Sequence, residues 1–132
     1  MTETPKRPWF DGPMVILLVG HGSVLAVLIF GVPWLGHAVG EVIVSFGVRG
    51  PWWMGVLLRF SNFATTYPYV RLATFAVLLL LDAWVYHHAR QSEDDAHATI
   101  WWLGAFGFLW GLVILSLVAL LAPFFTLMTS VG

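Results

Sequence analysis

The sequence predicts an all-α, polytopic membrane protein with three transmembrane helices and an interfacial helical hairpin between the first two. Composition and pattern carry that expectation. Of 132 residues, 59% are hydrophobic and only 10% are Asp, Glu, Lys or Arg, whereas a soluble domain holds about 25% charged residues. Three separate stretches are each apolar over the roughly 20 residues that a helix needs to cross the hydrocarbon core. The same arithmetic excludes a soluble globular enzyme, a disordered chain and a basic nucleic-acid-binding face. The formal charge of −1 leaves no global field to steer a charged partner. Cysteine is absent, which removes disulfides, thiolate metal sites, iron–sulfur clusters and cysteine nucleophiles together.

Residues 1–13 read as an N-terminal tail. The first span, 14–35, opens after Pro13, which suits a first helical turn, and Pro33 marks a kink or stop near its end. Lys6 and Arg7 before this span and Gly36-His37-Ala38 after it imitate a cleaved signal. Its 22 residues without a formal charge exceed the about 7–15 of a signal core, so it is read as an anchor. Over 36–66, Glu41, Arg49 and Arg59 are sparse among Val42, Ile43, Val44, Trp52 and Trp53. That pattern predicts two short interfacial helices, with Pro51 placed to start the second.

The second span, 67–88, contains Arg71 and Asp82. Its eight strongly apolar residues contribute roughly −2.5 to −5 kcal/mol to insertion, against about 2.5–3.5 for one central charge. Arg71 is close enough to one end to snorkel. The polar connection 89–98 is short, which makes the second and third spans antiparallel neighbours. From Ala98 onward no side chain is charged, and the third span is placed at 99–122, with Pro123 ending or kinking it and 123–132 as an apolar tail. Lys6, Arg7 and Arg90 on one side balance Arg49, Arg59 and Arg71 on the other, so charge does not set the topology.

Ionisable groups within spans are the functional candidates: His21, Arg71 and Asp82. His21, His87 and His88 lie towards one membrane face, joined by His97. That constellation admits a haem with two axial imidazoles, or a metal completed by Asp82 or Asp94. The opposing reading makes His87, His88 and His97 solvated headgroup residues, with His21 hydrogen-bonded to a neighbouring helix. Only His21 lies at depth and bis-histidine haem needs two, so neither haem nor metal is expected. Asp82 is open to several readings: a proton-relay carboxylate, a hydrated group near a helix end, or one paired with Arg90 or a partner subunit. Gly107 and Gly111 form a G-x-x-x-G that Gly104 extends, a surface for close helix approach, expected inside the chain rather than in a homo-oligomer. Seven of the eight tryptophans fall at expected interfaces as an anchoring belt. No catalytic triad, phosphate loop or H-E-x-x-H is present.

Val32-Pro33-Trp34-Leu35 closing the first span, Phe46-Gly47, Pro51, and Phe60-Ser61-Asn62-Phe63 leading into the second span form a pattern. This pattern resembles the F domain of the inner-membrane platform proteins of type II secretion systems and type IV pili. Leu120-Leu121-Ala122-Pro123-Phe124 is similar to that family's last helix. The resemblance implies a non-enzymatic membrane scaffold or accessory subunit in a bacterial inner membrane, with lipid and other membrane subunits as partners and no cofactor. It also implies a cytoplasmic N terminus and a periplasmic 36–66 segment. Family members carry a helical cytoplasmic domain between the second and third spans, where this chain has a short polar connection. The competing expectation is a three-helix anchor subunit of a redox complex, binding haem or quinone.

Overall fold

The computed structural model describes residues 6–47, 52–92 and 95–131, and these are helical apart from short connections. The elements are α1 (Gly12–Ala26), a π-helical turn (Val27–Gly31), α2 (Val32–Ser45), α3 (Trp52–Thr66), α4 (Pro68–Arg90) and α5 (Ala96–Val131). Three helical stretches, Gly12–Ser45, Pro68–Arg90 and Ala96–Thr129, are long and apolar enough to cross a membrane. The protein is an all-α, multi-pass membrane protein.

Asp11 starts α1 as an N-cap, its carboxylate accepting from the Met14 amide at 3.1 Å. That satisfies one of the amides a helix leaves orphaned at its start. The expected break near residue 35 does not occur. Pro33 lacks an N–H, and its ring meets the carbonyl four residues back, that of Ile29. Ile29 lies within the π-helical turn, where the Val32 amide reaches five residues back to the Val27 carbonyl. The wider turn absorbs the proline, and the first span continues into α2. Residues 36–45, expected as a separate interfacial helix, are therefore the upper part of the first helix.

The α2 helix ends at Phe46 and Gly47, the latter at φ 64°, a left-handed conformation that costs glycine little. Arg49 and Pro51 lie outside the described residues. The α3 helix then folds back along α2 in antiparallel register. A Cβ on Gly36 would lie 2.2 Å from the Ser61 hydroxyl, and one on Gly40 would lie 2.8 Å from a Leu58 methyl. A single non-helical residue, Tyr67, separates α3 from α4, because the residue before Pro68 is excluded from helical geometry.

The α4 helix runs antiparallel to α1, placing Phe75 beside Phe30, Asp82 beside His21 and Arg90 beside Asp11. Lower in the bundle, Met14 and Leu17 of α1 pack with Ala83 and Tyr86 of α4 and Ala98 of α5. At the other end Val32, Val39, Ile43, Met54 and Leu120 form a second cluster, against which Leu58 and Phe124 pack. That cluster explains why Pro123 does not end the third span: Leu120 before it and Phe124 after it are both anchored on α2 and α3. Residues 123–131 therefore extend α5 instead of forming a separate tail.

The glycine stripe on α5 is a further correction. Nothing lies within 4 Å of a Cβ built on Gly104, Gly107 or Gly111. Their neighbours inside the chain are too distant for close packing, and the intimate contact is made by Gly36 and Gly40 instead. Gly36→Ala is expected to cost about 1–3 kcal/mol through overpacking against Ser61. Gly107→Ala should change stability by no more than about 0.5 kcal/mol. Thermal unfolding in detergent, followed by tryptophan fluorescence, separates the two. Equal losses would place the packing seam on α5.

Candidate functional site

His21 sits in the middle of α1 with its side chain wholly buried, and its imidazole joins all three spans. Nδ1 lies 2.5 Å from Oδ2 of Asp82 on α4, and Nε2 lies 3.1 Å from the main-chain carbonyl of Trp102 on α5. The second carboxylate oxygen of Asp82 accepts the Trp101 indole N–H at 2.9 Å. Trp102 and Phe106, stacked on each other at 5.4 Å, lie beside the imidazole with ring centroids 6.0 and 5.9 Å away. The α5 helix provides this wall because residues 102 and 106 fall on one face, four apart.

The donor inventory fixes the chemistry. A carbonyl oxygen only accepts, so Nε2 carries a hydrogen and donates it to Trp102. Between Nδ1 and Oδ2 there is then one further proton, borne either by the imidazole as an ion pair or by the carboxyl as a neutral pair. Every polar atom of the two side chains is engaged within the chain. In an apolar surround an unpaired carboxylate or imidazolium is costly, so each group makes the other's burial tolerable.

His21 and Asp82 are thus brought together, and Asp82 does not pair with Arg90. Arg90 instead forms a two-pronged pair with Asp11, at 2.7 and 2.5 Å, closing the end of the bundle where α1 begins. An exposed pair, Arg7 with Asp95 at 2.8 Å, lies at the same end. Arg71 lies apart from these groups, its guanidinium over the Phe30 ring at 5.6 Å. His87 is buried, not solvated as expected: its ring stacks on Trp9 at 3.8 Å and meets the Gln91 amide at 2.7 Å. His88 and His97 are exposed.

Among the described residues no three His, Asp or Glu side chains gather as a metal site, and Asp94 lies outside those residues. His21 presents no free ring nitrogen for axial ligation, since one faces a carbonyl and the other a carboxylate. Trp101, placed by the sequence in the interfacial belt, is the functional partner that sequence reasoning missed. Its signal was its position, one residue from Trp102 at the depth of Asp82. Compared with family models, curated proteins and solved structures, the chain matches none. Fold and site together define a multi-pass helical membrane protein whose spans are joined at depth by a buried polar clamp.

Two outcomes follow from this geometry. His21→Ala and Asp82→Ala should each destabilise the protein by about 3–5 kcal/mol, the cost of leaving one buried partner alone. The double variant should lose clearly less than the sum. Thermal unfolding of the four proteins in one detergent gives the coupling, and strict additivity would refute the clamp. The Arg90 guanidinium holds the Asp11 carboxyl below its ordinary range, chiefly by hydrogen bonding. Because the folded value is the lower one, this contribution is complete above the ordinary carboxylate range. It is lost as pH falls through the depressed value. The stability advantage of wild type over Asp11→Asn should therefore shrink below about pH 3–4, measured by unfolding at a series of pH values.

Proposed function

We propose that the chain is a non-enzymatic integral membrane subunit, a scaffold or accessory component akin to the membrane core of a type II secretion or type IV pilus platform protein. One observation carries this reading. Four of the residues that bear the resemblance come from three distant segments and meet in one place, while Trp34, Phe46, Phe60 and Phe63 of the same motifs face outward. Val32 and Pro33 are buried at the start of α2, Ser61 of α3 lies against Gly36, and Leu120 of α5 is fully buried in the same cluster.

Two further features support a structural role. The buried polar cluster spends its donors and acceptors on neighbouring helices and leaves none aimed at a substrate. The glycine face of α5 has room for a helix of another subunit, since small residues let backbones approach where lipid supplies no hydrophobic force. In this reading the bacterial inner membrane is the site of action, and the α4–α5 connection is cytoplasmic.

A photo-crosslinking residue at Ile114, exposed beside Gly107 and Gly111, tests the proposal in native membranes. The expected product is an adduct with a membrane component of a secretion or pilus assembly. Adducts confined to a respiratory dehydrogenase, or a purified protein with a Soret band that disappears in His21→Ala, would replace the scaffold by the redox-anchor reading.

A further inference from the structure

A groove of about 940 Å³ runs between α3, α4 and α5, floored by the end of α1, the π-helical turn and the start of α2. Its walls are apolar: Leu28, Phe60, Leu78, Phe108 and Leu112 are typical. The polar groups along it are nearly all committed elsewhere. Asp82 and Trp101, towards one end, are bonded to each other and to His21. The Thr74 and Ser116 hydroxyls donate to the Val70 and Leu112 carbonyls of their own helices. His97 lies exposed at the Trp101 end.

Arg71 is different. Its Nε is buried without a hydrogen-bond partner, and among the described residues no carboxylate approaches its guanidinium. Arg7 and Arg90, by contrast, each hold an aspartate. The Phe30 face stabilises the cation but accepts none of its N–H groups in the plane of the fork. A guanidinium on the wall of an apolar groove, held in place and lacking an acceptor, calls for an anion with two acceptor oxygens attached to something apolar.

We infer that this groove binds an anionic phospholipid, its phosphate on Arg71 and one acyl chain lying along the groove towards Asp82 and Trp101. The dimensions agree. Arg71 and Asp82 are eleven residues apart on α4, about 16 Å at the helical rise. One leaflet's share of a ~30 Å hydrocarbon core is about 15 Å. A helix from a second copy would fill the apolar walls and still leave the Arg71 fork without an acceptor, whereas a lipid of net negative charge satisfies both parts of the site.

Native mass spectrometry of the full chain in a mild detergent, titrated with phosphatidylglycerol or phosphatidylcholine, tests this. Wild type should retain one phosphatidylglycerol with about five-fold preference over phosphatidylcholine, the scale of one basic group at an anionic surface. Arg71→Gln should abolish the preference, Arg71→Lys should keep part of it, and Arg59→Gln, outside the groove, should leave it intact. Ala105→Phe, which narrows the groove, should reduce retention of both lipids. Equal retention of the two lipids by wild type, a preference that survives Arg71→Gln, or binding indifferent to Ala105→Phe would each overturn the inference. If Arg71→Gln does not fold, the wild-type comparison and Ala105→Phe still decide it.

Discussion

The contact between His21 and Asp82 couples α1 to α4 at a depth where lipid offers neither group a partner. Helices in a bilayer gain little from hydrophobic burial against one another, because acyl chains are as apolar as leucine. Their mutual register has to come from shape and from polar groups with nowhere else to go. One imidazole reaching a carboxylate on α4 and a carbonyl on α5 fixes the axial level of both helices relative to the first. Trp101 then anchors the other carboxylate oxygen, and the Trp102–Phe106 stack closes the site from the side.

The rest of the fold extends from that level in two directions with different physics. Towards the chain's start the bundle is closed by charge: Asp11 caps α1 and holds Arg90 of α4 in the same carboxylate, so one side chain ends two helices. Towards the other end closure is steric. Gly36 and Gly40 let α3 lie against α2 closely enough that Ser61 is buried, and Leu120 of α5 locks onto the same seam.

The three spans were legible in the sequence because length and apolarity are local properties. Their ends were not, since Pro33 and Pro123 are helix breakers only where the surrounding structure does not compensate. A π-helical turn compensates for the first, and contacts at Leu120 and Phe124 for the second. His21 and Asp82 could be placed at equal depth by counting residues from a common face. Their pairing depends on the rotation of each helix about its axis, which no count along the chain supplies. The two glycine motifs illustrate the same limit. Gly36 with Gly40 and Gly107 with Gly111 are identical as patterns, and only the first has a helix folded back upon it by the turn at Gly47. Arg90 was only one of the partners open to Asp82, and its actual partner, Asp11, lies far away in sequence and beside it in space.

The π-helical turn also lets one buried face run the length of the first helix. Buried positions on α1 are 14, 17, 21, 22, 24 and 25, and those on α2 are 32, 33, 36, 39 and 43. Gly22 and Leu25 already stand in the register of threes and fours that 32, 36, 39 and 43 continue. The face therefore passes the proline without being turned away from the bundle. A single rod thus orients two sets of neighbours, α4 and α5 along its first half and α3 along its second. Each residue turns a helix by about 100°, so a change of pitch between 27 and 31 would be felt as a rotation of one set of neighbours against the other.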